Sequence, residues 1–288
     1  MYKNLNTGAI GIKCTWLEGL DLAQQAGFAG ADLSLTEAQA FAAEHGAAAV
    51  KAEYGRRGLH VGGWGLPVNW RASETEFIES LGKLPAQAKL AADLGCFRTS
   101  TWVLSFSDEL TRQEHYDRVC RRFRICAEVL RDYGHRLGLE FIGPRTLRAG
   151  RKHGFVYSMD GMLTLCNAIG TGNVGLLFDG WHWYTSQSTL DDVRQLAAED
   201  VVYVHINDAP ANVDVLDQID NVRCLPGETG VIPNGALLRA LAGIGYDGPV
   251  TVEPFSARLR EIAAADPLEA AKLTKASLDQ VFQEAGLE

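Results

Sequence analysis

Residues 174–206 read VGLLFDGWHWYTSQSTLDDVRQLAAEDVVYVHI. Two short apolar runs, Val174–Asp179 and Val201–Ile206, flank the amphipathic stretch Leu190–Ala197. Short Val/Leu/Ile-rich runs separated by a helical pattern are the signature of a parallel βαβ unit, whose strands are buried on both faces. Each run breaks its apolar pattern near its C-terminal end, with Asp179 in the first and His205 in the second. A carboxylate or an imidazole is costly to bury without a partner, so both positions ask for an explanation.

The same alternation runs outward to both ends of the chain. Gly8–Lys13, Gly30–Ser34, Leu59–Leu66, Phe97–Val103, Leu137–Ile142 and Pro249–Glu253 complete a set of eight predicted strands. Predicted helices lie between them at Trp16–Ala26, Leu35–Arg57, Glu74–Leu94, Arg112–Tyr133, Met159–Ile169, Leu190–Ala197, Gly235–Ile244 and Ser256–Gln283. Gly27, Gly58, Gly95, Gly134 and Gly245 each follow a helix, where left-handed C-caps are expected. Eight units without a GxGxxG after the first strand predict an α/β fold, a closed (β/α)8 TIM barrel, as one domain over residues 1–288. A barrel needs ~250 residues, which the 288 supply. The longest irregular stretches, Gly143–Tyr157 and Asp208–Pro233, follow predicted strands and so fall on the catalytic face.

Composition removes several function classes. The net charge is −9, which repels phosphate backbones and anionic lipid, so neither nucleic acid nor membrane is the expected partner. The opening MYKNLNTGAIGIKCTW has no basic segment followed by an apolar core, and no run approaches the ~20 apolar residues that span a bilayer. A cytoplasmic protein is expected. Cys14, Cys96, Cys120, Cys126, Cys166 and Cys224 form no CxxC pair and read as reduced thiols, not as a zinc site.

Four polar residues end, or nearly end, the last four strands: Glu140 in LGLEFI, Asp179 in VGLLFD, His205 in VVYVHI and Glu253 in PVTVE. Neighbouring barrel strands aim their C-terminal ends at one spot. Three carboxylates and one imidazole form a hard, oxygen-rich ligand set, suited to one divalent cation. Mn2+ is the first expectation, with Mg2+, Co2+ or Zn2+ as alternatives.

Five motifs occur in order along the C-terminal half: Leu139-Glu140-Phe141, Phe178-Asp179-Gly180-Trp181-His182, Val204-His205-Ile206-Asn207-Asp208, Arg223-Cys224-Leu225-Pro226-Gly227-Glu228-Thr229-Gly230 and Val252-Glu253-Pro254. Through them the chain resembles the xylose-isomerase-like barrels, the family of sugar and sugar-phosphate isomerases and epimerases. That family includes ketose 3-epimerases, inosose isomerases and dehydratases, and 3-dehydroshikimate dehydratases. The resemblance implies that Glu140, Asp179, His205 and Glu253 bind the metal and that Glu140 and Glu253 form the acid/base pair. It also implies that His182 and Arg223 contact substrate. Asn207 stands where relatives often carry lysine or glycine.

The implied reaction is proton transfer on a sugar or other polyhydroxy carbonyl compound through a metal-stabilised enediolate. Return of the proton to the same carbon gives an epimer, and return to the neighbour gives an isomer. Loss of a β-hydroxyl would make the chain a dehydratase (a lyase) instead. An abasic-site endonuclease on the same barrel would need three zinc ions and further histidines. Among the aromatic residues, Trp64, Trp102 and Trp181 are candidates to stack on a sugar C–H face, with packing as the alternative. Arg145, Arg148, Arg151, Lys152 and His153 form a basic loop that could bind a substrate anion or simply face solvent. His60 reads as structural. Relatives are commonly dimers or tetramers, so a homo-oligomer is expected by resemblance.

Overall fold

The computed structural model describes residues 1–287. Its main sheet is built from β1 (Tyr2–Leu5), β2 (Gly30–Ala31), β3 (His60–Val61), β4 (Trp64–Gly65), β5 (Arg98–Val103), β7 (Arg136–Phe141), β9 (Val174–Asp179), β10 (Val201–Ile206) and β11 (Pro249–Val252). The strand order is β3-β2-β1-β11-β10-β9-β7-β5-β4, with every pairing parallel. The segments at its two ends, β3 and β4, belong to one stretch of chain, Leu59–Leu66, so the sheet closes on itself. The barrel therefore has eight positions, one of them interrupted. A Cβ at Gly63 would stand 2.5 Å from Cε2 of Tyr203, which fills the barrel lumen from the opposite side. β6 (Phe106–Ser107) and β8 (His153–Gly154) form a small antiparallel pair outside the barrel.

Helices alternate with the strands and cover the outside. Those at Trp16–Ala26, Glu74–Leu81 and Arg112–Asp132 open with capping boxes in which Thr15, Ser73 and Thr111 pair with a glutamate three residues on. The five glycines read as caps all sit at positive φ.

Four boundaries differ from the sequence reading. The first strand is Tyr2–Leu5, not Gly8–Lys13. Asn4 faces the lumen and donates to Asp32 Oδ1 at 2.8 Å and Thr251 Oγ1 at 3.0 Å, so this strand carries a polar residue that hides it. Ile10 and Ile12 make 8–13 look like a strand because they are buried from an irregular segment. The stretch 35–57 divides at Gly46, whose φ of 85° and ψ of 154° leave the helical region. The stretch 74–94 divides into Glu74–Leu81 and Leu84–Asp93, and 256–283 divides before Pro267. Among the described residues no helix is long and apolar enough to cross a membrane.

Candidate metal centre and active site

β7, β9, β10 and β11 are consecutive around the barrel, and their register sets His205 beside Asp179. Glu140 lies one residue before the end of β7, Asp179 ends β9, His205 lies one before the end of β10, and Glu253 follows β11. One ligand atom from each of the four lies within 4.8 Å of the others. His205 Nδ1 is 3.5 Å from Glu140 Oε1 and 3.7 Å from Glu253 Oε2. Glu140 Oε1 and His205 Nδ1 are buried without a hydrogen-bond partner among the described residues. Buried polar atoms are rarely left unpaired. Three carboxylates, an imidazole and two such orphaned atoms fit a divalent cation.

The surroundings hold these groups in place. Asp179 Oδ1 accepts from the backbone N–H of Trp181 at 2.7 Å and from Asn207 Nδ2 at 2.9 Å. Arg223 Nη1 donates to Asp179 Oδ2 at 2.9 Å and to Glu253 Oε2 at 3.1 Å, while Nη2 donates to Asp220 Oδ1 at 3.0 Å. Burial alone would raise the Asp179 pKa, yet the Arg223 charge holds it below the usual carboxylate range. Burial pushes Glu140 up to about 8 against the opposing influence of the His205 imidazole 3.5 Å away, and it raises Glu253 as well. For His205, burial pulls the pKa down, but the charges of Glu253 and Glu140 outweigh it and carry it to about 9.

His182 is buried with a defined tautomer. The N–H of Gly143 donates to its Nδ1 at 3.2 Å, so the neutral ring carries its proton on Nε2. Burial lowers its pKa to about 4, which keeps the ring neutral near pH 7. Gly143 is needed for this approach, since a Cβ there would stand 2.5 Å from the carbonyl oxygen of His182. The Nε2–H and Nη2 of Arg223 lie 3.4 Å apart. Two donors this close share no bond with each other, and Asp220 Oδ1 faces both, 3.0 Å from Nη2 and 4.0 Å from Nε2.

Glu140, His182, Arg223 and Glu253 line a cavity of about 330 Å3 whose remaining wall includes Trp102, Ile142, Asp220 and Phe255. Of the aromatic candidates, Trp102 is on this wall and 43% exposed. Trp64 lies elsewhere, buried edge-on against His135 with ring centroids 5.4 Å apart. Trp181 is fully buried, 5.3 Å from the guanidinium carbon of Arg223, and supports that side chain from outside the cavity. In the basic loop, Arg145 pairs with Asp217 and Arg151 with Asp108, while Arg148 stacks on Tyr157. His60 is on the opposite rim, at the start of β3. A larger cavity of about 440 Å3 opens on that rim and holds none of the four ligand candidates.

The sequence reading missed Asp220, Asn221 and Phe255, all on the cavity wall. Asp220 stands three residues before Arg223, and only the fold shows that their side chains meet. Phe255 has φ of 37°, unusual for a residue with a Cβ, directly after Glu253-Pro254. The excursion 208–233 is tied down at its base by Asp208. Its backbone pairs with that of Cys224 in both directions, and its carboxylate accepts from the N–H groups of Thr229, Gly230 and Ile232 at 3.0, 2.7 and 2.9 Å. The tip carries the exposed apolar side chains Val213, Leu216, Ile219 and Val222.

The model of the xylose isomerase-like TIM barrel family matches residues 20–281. The chain belongs to that family. A xylose isomerase domain protein from Alicyclobacillus acidocaldarius subsp. acidocaldarius has a solved structure 36% identical, with TM-score 0.88 and 99% of each chain covered. An IolI protein crystallised with a bound zinc atom is 18% identical with TM-score 0.78, again over 99% of each chain, a likeness of fold alone. The inosose isomerase of Bacillus velezensis (strain DSM 23117 / BGSC 10A6 / LMG 26770 / FZB42) is 28% identical over 148 residues. That match covers 51% of this chain and spans about half the length of the isomerase, 50%.

Proposed function

We propose that this family member is a divalent-metal-dependent isomerase or epimerase of a sugar or related polyhydroxy carbonyl compound. The observation that carries the reading is the meeting of Glu140, Asp179, His205 and Glu253 within 4.8 Å at the mouth of the barrel. These four side chains would hold the cation, with Mn2+ the first expectation. A bound divalent cation supplies positive charge beside the carbonyl and hydroxyl oxygens of the substrate.

The chain's own groups do the rest. One glutamate of the pair Glu140/Glu253 takes a proton from the carbon next to the carbonyl, and the other returns one. His182 Nε2–H and Arg223 would hold a substrate oxygen, and Trp102 offers an apolar wall to the C–H face of the sugar. Asn207 and Arg223 orient Asp179. The small-molecule substrate, the single barrel domain over 1–288 and the cytoplasmic setting belong to this proposal, as does assembly into a homo-oligomer.

The experiment is solvent-deuterium exchange into a panel of ketoses, inososes and 3-keto sugars, with Mn2+ present. Wild-type protein should label one substrate carbon, while Glu140→Gln and Glu253→Gln should not, with circular dichroism unchanged. Wild-type exchange rates in either variant would remove the assigned roles. Accumulation of an unsaturated product instead of a labelled sugar would move the chain to the dehydratases.

A further inference from the structure

A second cavity, of about 290 Å3, adjoins the catalytic one, and Leu104 lines both. Arg71 is on its wall. The guanidinium carbon of Arg71 lies 3.5 Å from the ring centroid of Trp102 and 4.2 Å from that of Trp70. Two indoles thus hold the cation, and Trp102 itself lines the catalytic cavity. Among the described residues no carboxylate pairs with Arg71, whose hydrogen bond goes to the carbonyl of Trp102. Arg71 is exposed to solvent at one side, and partial desolvation against the two indoles lowers its pKa to about 10, which leaves it charged near pH 7.

The turn bearing Arg71 is fixed. Arg118 donates to the carbonyl of Arg71 at 2.8 Å, and Arg122 donates to those of Trp70 and Ala72, each at 2.7 Å. Arg118 also lines the cavity, as does His115, whose two ring nitrogens are buried without partners among the described residues. Two acids share the wall. Asp108 is already engaged by Arg151 at 3.0 Å and by the backbone N–H of Lys152 at 3.1 Å, which leaves Glu109. Two arginines thus face two carboxylates across this cavity, and one of those carboxylates is already neutralised by Arg151.

We infer that this second cavity is an anion subsite, with Arg71 as its main contact, and that it takes a carboxylate or phosphate carried by the substrate. The second half of that statement rests on the proposed sugar chemistry, and the first does not. The planar guanidinium offers paired N–H groups to two oxygens of one anion, which a lysine could not match. The basic loop read from the sequence is less available for this task, because Arg145 and Arg151 already have carboxylate partners.

Inorganic phosphate is the first probe, titrated into full-length protein at constant ionic strength and followed by 31P NMR. Wild type should bind it saturably, and Arg71→Met should weaken binding about tenfold or more, as expected for loss of a charge-assisted pair. Glu253→Gln should keep phosphate binding while losing exchange chemistry. D-fructose, D-fructose 6-phosphate and D-fructuronate then separate the two anion sources. The favoured anion should bind about tenfold more tightly than D-fructose, and the advantage should vanish in Arg71→Met. No phosphate binding by wild type, or equal binding in Arg71→Met, would overturn the subsite. Equal affinity for charged and neutral sugars would overturn its link to substrate. Phosphate binding without deuterium exchange on any sugar would instead strike the proposed enzyme chemistry and leave the subsite standing.

Discussion

Arg223 and Asp179 form an ion pair at 2.9 Å in which both side chains are almost wholly shielded, 1% and 0% exposed. Removing one member of such a pair strands the other charge in a poorly solvated place. Arg223→Met should therefore cost about 3–5 kcal/mol of stability in protein stripped with EDTA. Added Mn2+ should recover part of that loss, because a cation at the four-residue cluster replaces the missing positive charge. Urea unfolding with and without Mn2+ checks both halves. An equal cost in the two conditions would separate Arg223 from the metal cluster.

Ion binding should be linked to pH through Glu140 and His205. In the ion-free chain burial raises Glu140 and the neighbouring carboxylate charges raise His205, so near neutral pH the pair holds protons that a cation must displace. Affinity for Mn2+ should then rise from pH 6.5 upward and level off above about 9. Calorimetry in buffers of different ionisation enthalpy should show about one or more protons released per ion at pH 7. A pH-independent affinity would contradict the assignment of these two side chains.

His182 should behave as a neutral donor. Its pKa of about 4 means that the ring does not change charge between pH 5 and 9. His182→Leu should reduce kcat/KM by about tenfold to a hundredfold, the value of one well-placed hydrogen bond. Mn2+ affinity should stay near wild type, and the acid limb of the pH–rate profile should not move.

Gly143→Ala should lower stability by about 1–3 kcal/mol, since the new methyl meets the His182 carbonyl and Thr185 Oγ1, both at 2.5 Å. Relief of that clash displaces the N–H bonded to His182 Nδ1, so the substitution should also depress kcat. Thermal melting and steady-state kinetics on one preparation test the pairing of the two effects. A stable variant with normal kcat would show that the Gly143 contact is dispensable.

The strand-end carboxylates and histidine were legible because each violates an apolar pattern in a short run, and barrel geometry says which ends converge. The eight-unit rhythm was legible for the same reason. Tyr2–Leu5 was hidden because Asn4 serves the polar network of the lumen, where Tyr203 donates to Asp32 at 2.7 Å. The helix breaks at Gly46 and before Pro267 were visible as residue types, but helical periodicity on both sides masked them. The tryptophans expose a different limit. Composition marks Trp64, Trp102 and Trp181 alike, and only packing decides that Trp102 reaches the cavity while the other two are enclosed. Asp220 and Arg71 escaped notice because an exposed-looking loop charge acquires meaning only from what faces it across the fold.

Asp208 fastens both ends of the excursion that carries Asp220 and Arg223, binding Cys224 on one side and the Thr229–Ile232 turn on the other. Asp220 and Arg223 lie between those fastenings and hold Asp179 and Glu253, whereas residues 210–219 contact none of the four ligand candidates by hydrogen bond among the described residues. Nature and the protein engineer thus have the same handle here. Segments 210–219 borrowed from other barrels could be spliced in as interchangeable cartridges, altering the cover of the cavity while the cluster of Glu140, Asp179, His205 and Glu253 beneath is inherited unchanged.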